Sequence, residues 1–221
     1  MAVVNAGAAA DGTRERILDA ALDLFGERGL TGTTVRDIAA RAKVNVAAIS
    51  YHFGGKDELY RAVAETVIGS IESRARERIA PLIDRPPADP KEAAAALGDF
   101  IAAMVDVIVG PEEMRRVARF LIREQMQPSP AFEVIFAVLG RMHGAGARLF
   151  AAAAGLDPDA RETGLRVFML IGQVVFLRIA EEAVRRQLGL KRYDDAFLAD
   201  VRRLARQNAR AMVAAARKAR S

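Results

Sequence analysis

The stretch TTVRDIAARAKVNVAAISYHF, from Thr33 to Phe53, predicts two short helices joined by a tight turn. Thr34 can cap the first helix, because Asp37 follows three residues later and its carboxylate can return to the amide of the cap. Asn45 can cap the second helix. Two short helices connected in this way form a helix-turn-helix, and the second helix of such a motif fits the major groove of duplex DNA.

The second of these helices has an inward and an outward side. Ile49 and Phe53 are four residues apart, so they share one side and are expected to pack into the domain. The side chains expected to face outward are Asn45, Val46, Ala47, Ser50 and Tyr51. They are the first candidates for contact with DNA.

The order of residues in this region resembles the DNA-binding domain of the TetR family of transcription regulators. The resemblance begins at about Thr13, runs through RERILDAALDLFGERG and TTVRDIAARAKVNVAAISYHFGGKDELY, and ends near Tyr60. It implies a three-helix head over residues 13–60, a linking helix that continues to about residue 83, and a larger helical domain over residues 88–221. The start, MAVVNAGAAADG, lacks the pattern of a signal peptide, and we expect residues 1–12 to form a disordered arm.

The resemblance implies phosphate contacts around both ends of the motif. Tyr51 and Lys56 match positions that contact DNA phosphates in TetR-like proteins, and His52 either contacts DNA or orients the turn. Thr33 and Thr34 can offer hydroxyl and first-turn amide groups to a phosphate, although Thr34 would cap its helix with or without DNA. The alternative is that Tyr51 and His52 pack within a small domain and that Lys56 is an ordinary surface cation.

Base recognition is expected at the start of the second helix. Many relatives carry Lys or Thr there, whereas this chain has Val46 and Ala48, which leaves an apolar surface. Alanine and valine methyl groups can meet the methyl group of thymine, while Asn45, Ser50 or Arg36 could hydrogen-bond base edges; Asn45 is equally explained as a cap alone. The complete predicted DNA-binding set is Thr33, Thr34, Arg36, Asn45, Val46, Ala47, Ala48, Ser50, Tyr51, His52 and Lys56.

The turn between the two helices departs from the family at Lys43, where relatives often carry Gly. If this position needs a positive φ, a lysine there has a conformational cost. The departure concerns the geometry of the turn and leaves the predicted fold unchanged.

The second half of the chain has a helical pattern without strand-like alternation. It follows a proline-rich break, RPPADP, at residues 85–90. Five helices are expected after the break: Lys91–Val109, Pro111–Met126, Pro130–Ala154, Pro158–Leu188 and Tyr193–Arg220. With four helices before it, the chain is predicted to be all-α with about nine helices. Two stretches, FLIREQMQPSPAFEVIF and GLDPDARETGLRVFMLIGQVVFLRIAEEAVRR, resemble the CecR-like subgroup of the family.

The larger domain is expected to bind a small-molecule effector, in a pocket that is mostly apolar with a few polar groups. The candidate residues mix aromatic, flexible and polar side chains: Phe120, Arg123, Glu124, Met126, Phe136, His143, Phe168 and Met169. The alternative is that these residues form ordinary core, with the charged ones on solvated faces.

The last two long helices carry apolar stripes beyond the evident needs of one subunit. In TetR-like proteins these helices pair with those of a second subunit, so the resemblance implies a homodimer. The candidate interface residues are Leu170, Gln173, Val174, Leu177, Val201, Leu204 and Met212. A dimer could place two heads on half-sites about 34–36 Å apart. The alternative is that both helices are central helices of a monomer.

Composition limits the kinds of site. The chain has no Cys and two His, without an HxxxH pattern or clustered carboxylates, so we expect no disulfide, metal or cofactor site. No apolar run approaches a membrane span, and we expect a cytoplasmic protein. The net charge is +5, but residues 1–85 are balanced, and seven basic residues lie in the tail from Val201 to Ser221. We interpret the tail as a solvated helix end, with a second nucleic-acid contact as the alternative.

These observations lead to one main hypothesis and two alternatives. The main hypothesis is a homodimeric, ligand-responsive transcription repressor that binds double-stranded operator DNA, in which an effector bound by the C-terminal domain alters the spacing of the heads. One alternative is a helical adaptor or small-molecule-binding protein without a DNA function. The other is a helical enzyme, but the sequence has no recognised nucleophile–base pair or catalytic motif, so we expect no enzymatic activity.

Overall fold

A computed structural model of the chain describes residues 3–80 and 87–219. Within these residues all regular elements are helical, which confirms the predicted all-α class. The helices are α1 (Val3–Arg28), α2 (Val35–Ala42), α3 (Val46–Phe53), α4 (Lys56–Arg78), α5 (Pro90–Met104), α6 (Met114–Met126), α7 (Phe132–Ala154), α8 (Arg161–Ile179), α9 (Glu181–Leu188) and α10 (Asp195–Lys218). A short π-helix, Val105–Val109, directly follows α5.

The start of the chain differs from the expectation. Helix α1 begins at Val3, so residues 3–12 are helical where a disordered arm was predicted. Alanine recurs in this stretch and has the highest helix propensity, which favours extension of α1 toward the N-terminus. The predicted end of the linking helix near residue 83 and the beginning of the proline-rich break lie outside the described residues.

The helices form two compact units. The first comprises Met1–Gly69 and Arg116–Phe136, and the second comprises Ser70–Arg115 and Ala137–Ser221. The predicted head, residues 13–60, lies within the first unit. The first unit also includes most of α6 and the start of α7, which the sequence assigned to the C-terminal domain.

An aromatic cluster explains why most of α6 belongs to the first unit. Tyr60 of α4 lies between Phe25 of α1, with 4.6 Å between ring centroids, and Phe120 of α6, with 5.2 Å. The Tyr60 hydroxyl donates a hydrogen bond to the fully buried carboxylate of Glu124. Burial, together with this bond, raises the pKa of Tyr60. Through these buried contacts α6 packs against α1 and α4.

Charged side chains add to the contact between α1 and α6. Arg116 Nε donates to Asp23 Oδ1 at 2.6 Å, and Arg123 donates to the carbonyl oxygen of Glu27 at 2.6 Å. Arg119 approaches the Glu27 carboxylate at 3.6 Å. Because partly exposed ion pairs contribute little each, we attribute most of the stability of this contact to the aromatic cluster.

The second unit has its own core, formed mainly by α5, the π-helix, α7, α8 and α10. Phe100 of α5 and Phe150 of α7 are fully buried in it. Gly146 of α7 lies at a close crossing, where an added Cβ would be 2.9 Å from Val167 Cγ1 and 3.1 Å from Phe100 Cε1. The absence of a side chain at Gly146 therefore sets how closely these helices can approach.

The predicted helix Pro158–Leu188 is divided at Ala180, so the described residues contain ten α-helices where about nine were predicted. At the division, Arg178 and Glu181 form a buried ion pair with 2.6 Å between Nη1 and Oε2. Arg115 Nε also donates to Glu181 Oε2 at 2.8 Å. Arg178 further donates to the carbonyl oxygens of Ile108, Val109 and Pro111.

The expectation that no apolar segment approaches the length of a membrane span was wrong for helix α7. Phe132–Ala154 has 23 residues and a mean hydropathy of 1.2, so by length and composition it could cross a membrane. In the structure Leu149 and Phe150 of this helix are fully buried in the second unit. Of the apolar window in α7, 44% is buried inside the structure.

Candidate nucleic-acid interface

Both predicted helix caps of the helix-turn-helix are present. Thr34 Oγ1 accepts a hydrogen bond from Asp37 N at 3.2 Å, and Thr34 N donates to Asp37 Oδ2 at 3.0 Å, which completes the predicted capping box. The side-chain hydrogen bond with Thr34 lowers the pKa of the Asp37 carboxyl. Asn45 Oδ1 accepts from Ala47 N at 2.9 Å and caps α3.

The turn between α2 and α3 contains a left-handed residue. Lys43 closes α2 with φ 55° and ψ 49°, and within the described residues no other non-glycine residue has a positive φ. Its backbone N–H reaches the carbonyl oxygens of Ala39 and Ala40. The strained turn anticipated at this departure from the family is therefore present.

The outward face of α3 has the expected exposure. Val46 is 40% exposed and Tyr51 is 84% exposed, whereas Ile49 on the other side is 1% exposed. The neighbouring exposed residues are Asn45, Ala47 and Ser50. A row of small and apolar side chains, with one exposed phenol, is thus available on the face that would enter a groove.

Thr33 and Lys56 have partners within the first unit. Thr33 is buried, and its hydroxyl donates to the carbonyl oxygen of Gly29 at 2.8 Å. Lys56 Nζ donates to the carbonyl oxygens of Leu30 at 3.0 Å and Thr33 at 3.2 Å. The Thr33 hydroxyl, which was predicted to face a phosphate, instead holds the loop between α1 and α2, because its side chain is enclosed there.

The other candidate DNA contacts differ in exposure. Arg36 is exposed on α2, whereas Ala48 and His52 are half-buried on α3. The ring of His52 lies edge-on to the ring of Tyr51, with 5.1 Å between centroids. His52 can therefore orient the exposed Tyr51.

Two cations beside α3 have no ion pair within the described part of the chain. They are Arg36 on α2 and Lys43 in the turn, and both are exposed. By contrast, Arg41 pairs with Asp23 at 3.3 Å. Phosphate contacts need locally placed donors and do not require a positive net charge of the domain. Arg36 and Lys43 can therefore donate to DNA phosphates although residues 1–85 carry equal numbers of acidic and basic residues.

The basic C-terminal helix is engaged within the second unit. Arg202 Nη1 donates to Asp106 Oδ1 of the π-helix at 2.5 Å, and Arg206 Nε donates to Asp99 Oδ1 of α5 at 2.8 Å. These pairs favour a packed helix over a second nucleic-acid contact.

The predicted effector-pocket residues are divided between the two units. Those in the first unit are Phe120, Arg123, Glu124, Met126 and Phe136. Those in the second unit are His143, Phe168 and Met169. Phe120 and Glu124 are fully buried in the contact of α6 with the head, whereas the exposed fraction is 77% at Met126 and 58% at Phe136.

His143 has structural partners in the second unit. Its Nε2 lies 3.0 Å from the carbonyl oxygen of Gly164, and its ring is 4.0 Å from the ring of Phe168 between centroids. Among the residues that the structure describes, no group of three or more His, Asp or Glu side chains could hold a metal ion.

The sequence interpretation missed a polar cavity of about 350 Å³ in the second unit. Arg115, Arg178 and Glu181 line one part of it, and Tyr193 and Asp195 line another. A volume of this size is sufficient for a small ligand. In the sequence, the available signal was Arg178, a cation that follows the apolar residues Val174–Leu177 and precedes Glu181 by three residues.

The predicted dimer-interface residues lie in two environments. Three are buried in the core of the second unit: Leu170, Val174 and Val201. The others are at least partly exposed: Gln173, Leu177, Leu204 and Met212. Side chains that are already covered in their own subunit cannot be covered again by a partner, so the first three are corrected to core residues.

A different apolar face is exposed on α8. It consists of Leu165, Phe168, Met169, Phe176 and Ile179, with exposed fractions between 49% and 66%. Counted from Leu165 they stand at i, i+3, i+4, i+11 and i+14, which places them along one side of the helix. Sequence reasoning assigned two of them to the effector pocket and missed the other three, because every side of this helix is rich in apolar residues.

Two protein-family models match the chain. The model described as "Bacterial regulatory proteins, tetR family" matches residues 17–63. The model described as "HTH-type transcriptional dual regulator CecR, C-terminal domain" matches residues 93–216. The first match contains the helix-turn-helix, and the second covers more than half of the chain.

Individual relatives agree with these matches. The HTH-type transcriptional dual regulator CecR of Shigella flexneri is 31% identical over 187 residues, which is 82% of each chain. The HTH-type transcriptional repressor NicS of Pseudomonas putida is 37% identical over 93 residues, 42% of this chain and 41% of that protein. The solved structure of a TetR-like transcriptional regulator from a Rhodococcus species has a TM-score of 0.61 at 22% identity and covers 89% of this chain and 93% of that one.

Proposed function

The chain belongs to the TetR family of DNA-binding transcription regulators, and from this premise we propose that it is a homodimeric repressor released from its operator by a small-molecule effector. The observation that carries the proposal is the capped helix-turn-helix, in which Val46 and Tyr51 on the outward face of α3 are exposed while Ile49 is buried. Repression is proposed because NicS, which is 37% identical over 93 residues, is named a repressor.

The head offers the contacts that a DNA duplex requires. Tyr51, Arg36 and Lys43 are exposed around α3 and can contact phosphates on either side of the groove. Lys56 Nζ holds the loop before α2 through the carbonyl oxygens of Leu30 and Thr33, and the N-terminus of that helix is a further candidate phosphate site. We therefore assign α3 as the helix that enters the major groove.

The exposed face of α8 supports the proposed dimer. Phe168 and Phe176 are 62% and 60% exposed, and a contiguous apolar face of this kind commonly marks a protein interface. Leu204 of α10 is 47% exposed and can extend the same contact. Pairing of two copies would bring two heads to an operator with two half-sites.

The effector is proposed to act by binding two conformations of the protein with different affinity. Its site is assigned to the helical domain matched by the CecR model. Within the second unit, the candidate site is the polar cavity beside Arg178 and Glu181.

Titration of promoter DNA from beside the protein's own gene tests the proposal. We expect specific binding at moderate salt, measured by fluorescence anisotropy with unlabelled competitor, and loss of that binding in Tyr51→Ala. Lys91→Ala, an exposed change in the second unit, is the matched control and should bind as the wild type does. Failure to find specific binding at low or moderate salt, on promoter DNA or on DNA selected from random sequence, would contradict the proposal.

A further inference from the structure

We propose that helix α3 reads the operator chiefly through the 5-methyl groups of thymines, which Val46 and Ala47 contact in the major groove. The inference rests on the proposed function, since it requires α3 to enter that groove. It specifies the operator at the positions that α3 contacts: we expect thymines there, and not purines that a side chain would read through two hydrogen bonds.

The first turn of α3 presents methyl groups to the outside. Val46 is 40% exposed, and Ala47 beside it is exposed as well. The N-terminal residues of a recognition helix are the ones that reach base edges. The atoms available at the groove floor are therefore the methyl carbons of valine and alanine.

Helix α3 contains no side chain that could read a purine by two hydrogen bonds. Its sequence, VAAISYHF, has no Arg, Lys, Asn or Gln, which are the residues that pair with guanine or adenine in this way. Asn45 stands directly before it, but its Oδ1 already accepts the amide of Ala47 at 2.9 Å. The cap uses one of the two lone pairs of this oxygen and fixes the orientation of the amide, so Asn45 is less free to turn both of its groups toward adenine.

The remaining polar groups near α3 are suited to positioning. Ser50 offers a single hydroxyl, which can bond to several bases and discriminates weakly. Tyr51 is exposed near the end of α3, and the exposed cations Arg36 and Lys43 lie outside this helix, on α2 and in the turn. Among the side chains of α3, discrimination by direct contact is therefore left to those that can meet the thymine methyl, which only the T·A pair presents in the major groove.

The experiment removes the methyl group from the DNA and leaves the protein unchanged. An operator is first selected from random duplex DNA, and each thymine is then replaced singly by deoxyuridine. Burial of one methyl group corresponds to about a fourfold change in affinity, so we expect about fourfold weaker binding at one or more thymines in each half-site. Thymines outside the half-sites serve as controls and should be insensitive.

A protein variant then identifies the contacting residue. In Val46→Ala we expect the uracil substitution at the contacted thymine to lose most of its effect, because the two partners of one contact are not additive. Lys43→Ala is the matched control: it should weaken binding to every duplex while the uracil effect stays about fourfold. Val46 is exposed, so its truncation leaves the core of the head intact.

The outcomes separate this inference from the proposed function. If selection yields no preferred sequence, the proposed function fails. If selection yields an operator that tolerates uracil at every thymine, the protein is a DNA-binding regulator and the thymine inference is overturned. The inference is also overturned if the uracil effect is the same in Val46→Ala and in the wild type.

Discussion

In the turn of the helix-turn-helix, the backbone of Lys43 adopts a left-handed conformation that favours glycine. At φ 55° its Cβ crowds the following backbone, which costs about 1–2 kcal/mol for residues other than glycine. The retained lysine also places an exposed cation beside α3, where a phosphate would lie. The position therefore combines a conformational cost with a charge that DNA binding can use.

Replacement of this lysine should separate the two effects. We expect Lys43→Gly to raise the free energy of unfolding by about 0.5–1 kcal/mol, since relief of strain exceeds the greater freedom of glycine in the unfolded chain. Urea denaturation followed by circular dichroism measures the change. Lys43→Ala is the control: it removes the charge, keeps a Cβ and should not become more stable. Equal gains in both variants would show that charge, not backbone strain, is responsible.

Glu181 is a second position where one side chain has several partners. Burial acts to raise the pKa of its carboxyl, but hydrogen bonds and charges from Arg115 and Arg178 outweigh burial and place the pKa below its usual value. A carboxyl with a lowered folded-state pKa stabilises the fold fully above its unfolded-state pKa of 4.5. That contribution is lost as the pH falls from there through the folded-state pKa.

The pH dependence can be tested with Glu181→Gln. At pH 7 we expect the variant to lose about 3–5 kcal/mol of unfolding free energy, because the buried Arg178 loses its charged partner. The difference from wild type should begin to narrow near pH 4.5, where Glu181 becomes protonated in the unfolded chain, and narrow further as the pH falls through the lowered folded-state pKa. Glu162→Gln is the control, since Glu162 pairs with Arg166 on the surface and is 65% exposed. A difference for Glu181→Gln that stays constant down to pH 3 would contradict the assignment.

Two glycines of α7 in the second unit have different surroundings, and helix packing depends on only one of them. Gly146 lies at the crossing with α5 and α8, where a Cβ would be 2.9 Å from Val167 Cγ1. Gly140 is exposed, and a Cβ there would meet nothing within 4 Å. The same substitution is thus expected to have opposite effects at these two positions of one helix.

We expect Gly146→Ala to lower the free energy of unfolding by about 1–3 kcal/mol, because neighbouring side chains must move to admit the methyl group. Gly140→Ala should raise it by about 1 kcal/mol through the higher helix propensity of alanine. Thermal or chemical denaturation of the two variants beside wild type measures both. Stabilisation by both substitutions would mean that the crossing is looser than the structure indicates.

At the scale of the whole molecule, the proposed dimer should control DNA affinity. Phe176→Glu places a charge in the middle of the exposed face of α8 and should yield a monomer in analytical ultracentrifugation. Because a dimer binds its second half-site intramolecularly, the monomer should bind the operator at least about 100-fold more weakly. Leu188→Glu, at a leucine that is 59% exposed on α9, is the control and should remain dimeric. A monomeric wild type at micromolar concentration would contradict the proposed assembly.

The local features of this protein were determined by its sequence. Thr34 and Asp37 form the predicted capping box, Asn45 caps α3, and Ile49 faces inward, because each of these features depends on residues within four positions of one another. The order of residues in the head was also sufficient to identify the family, because the motif is continuous in the sequence. The two family models and the similarity to CecR confirm that identification.

Only the tertiary structure decided which side of an apolar helix is covered and which distant groups meet. Leu170 and Val174 lie in the core while Phe176 is exposed, although all three belong to one apolar stretch. Tyr60 meets Glu124 across 64 residues of sequence, and Arg115 meets Glu181 across 66. Such contacts depend on how whole helices pack, and helical periodicity describes each helix without stating what lies against it.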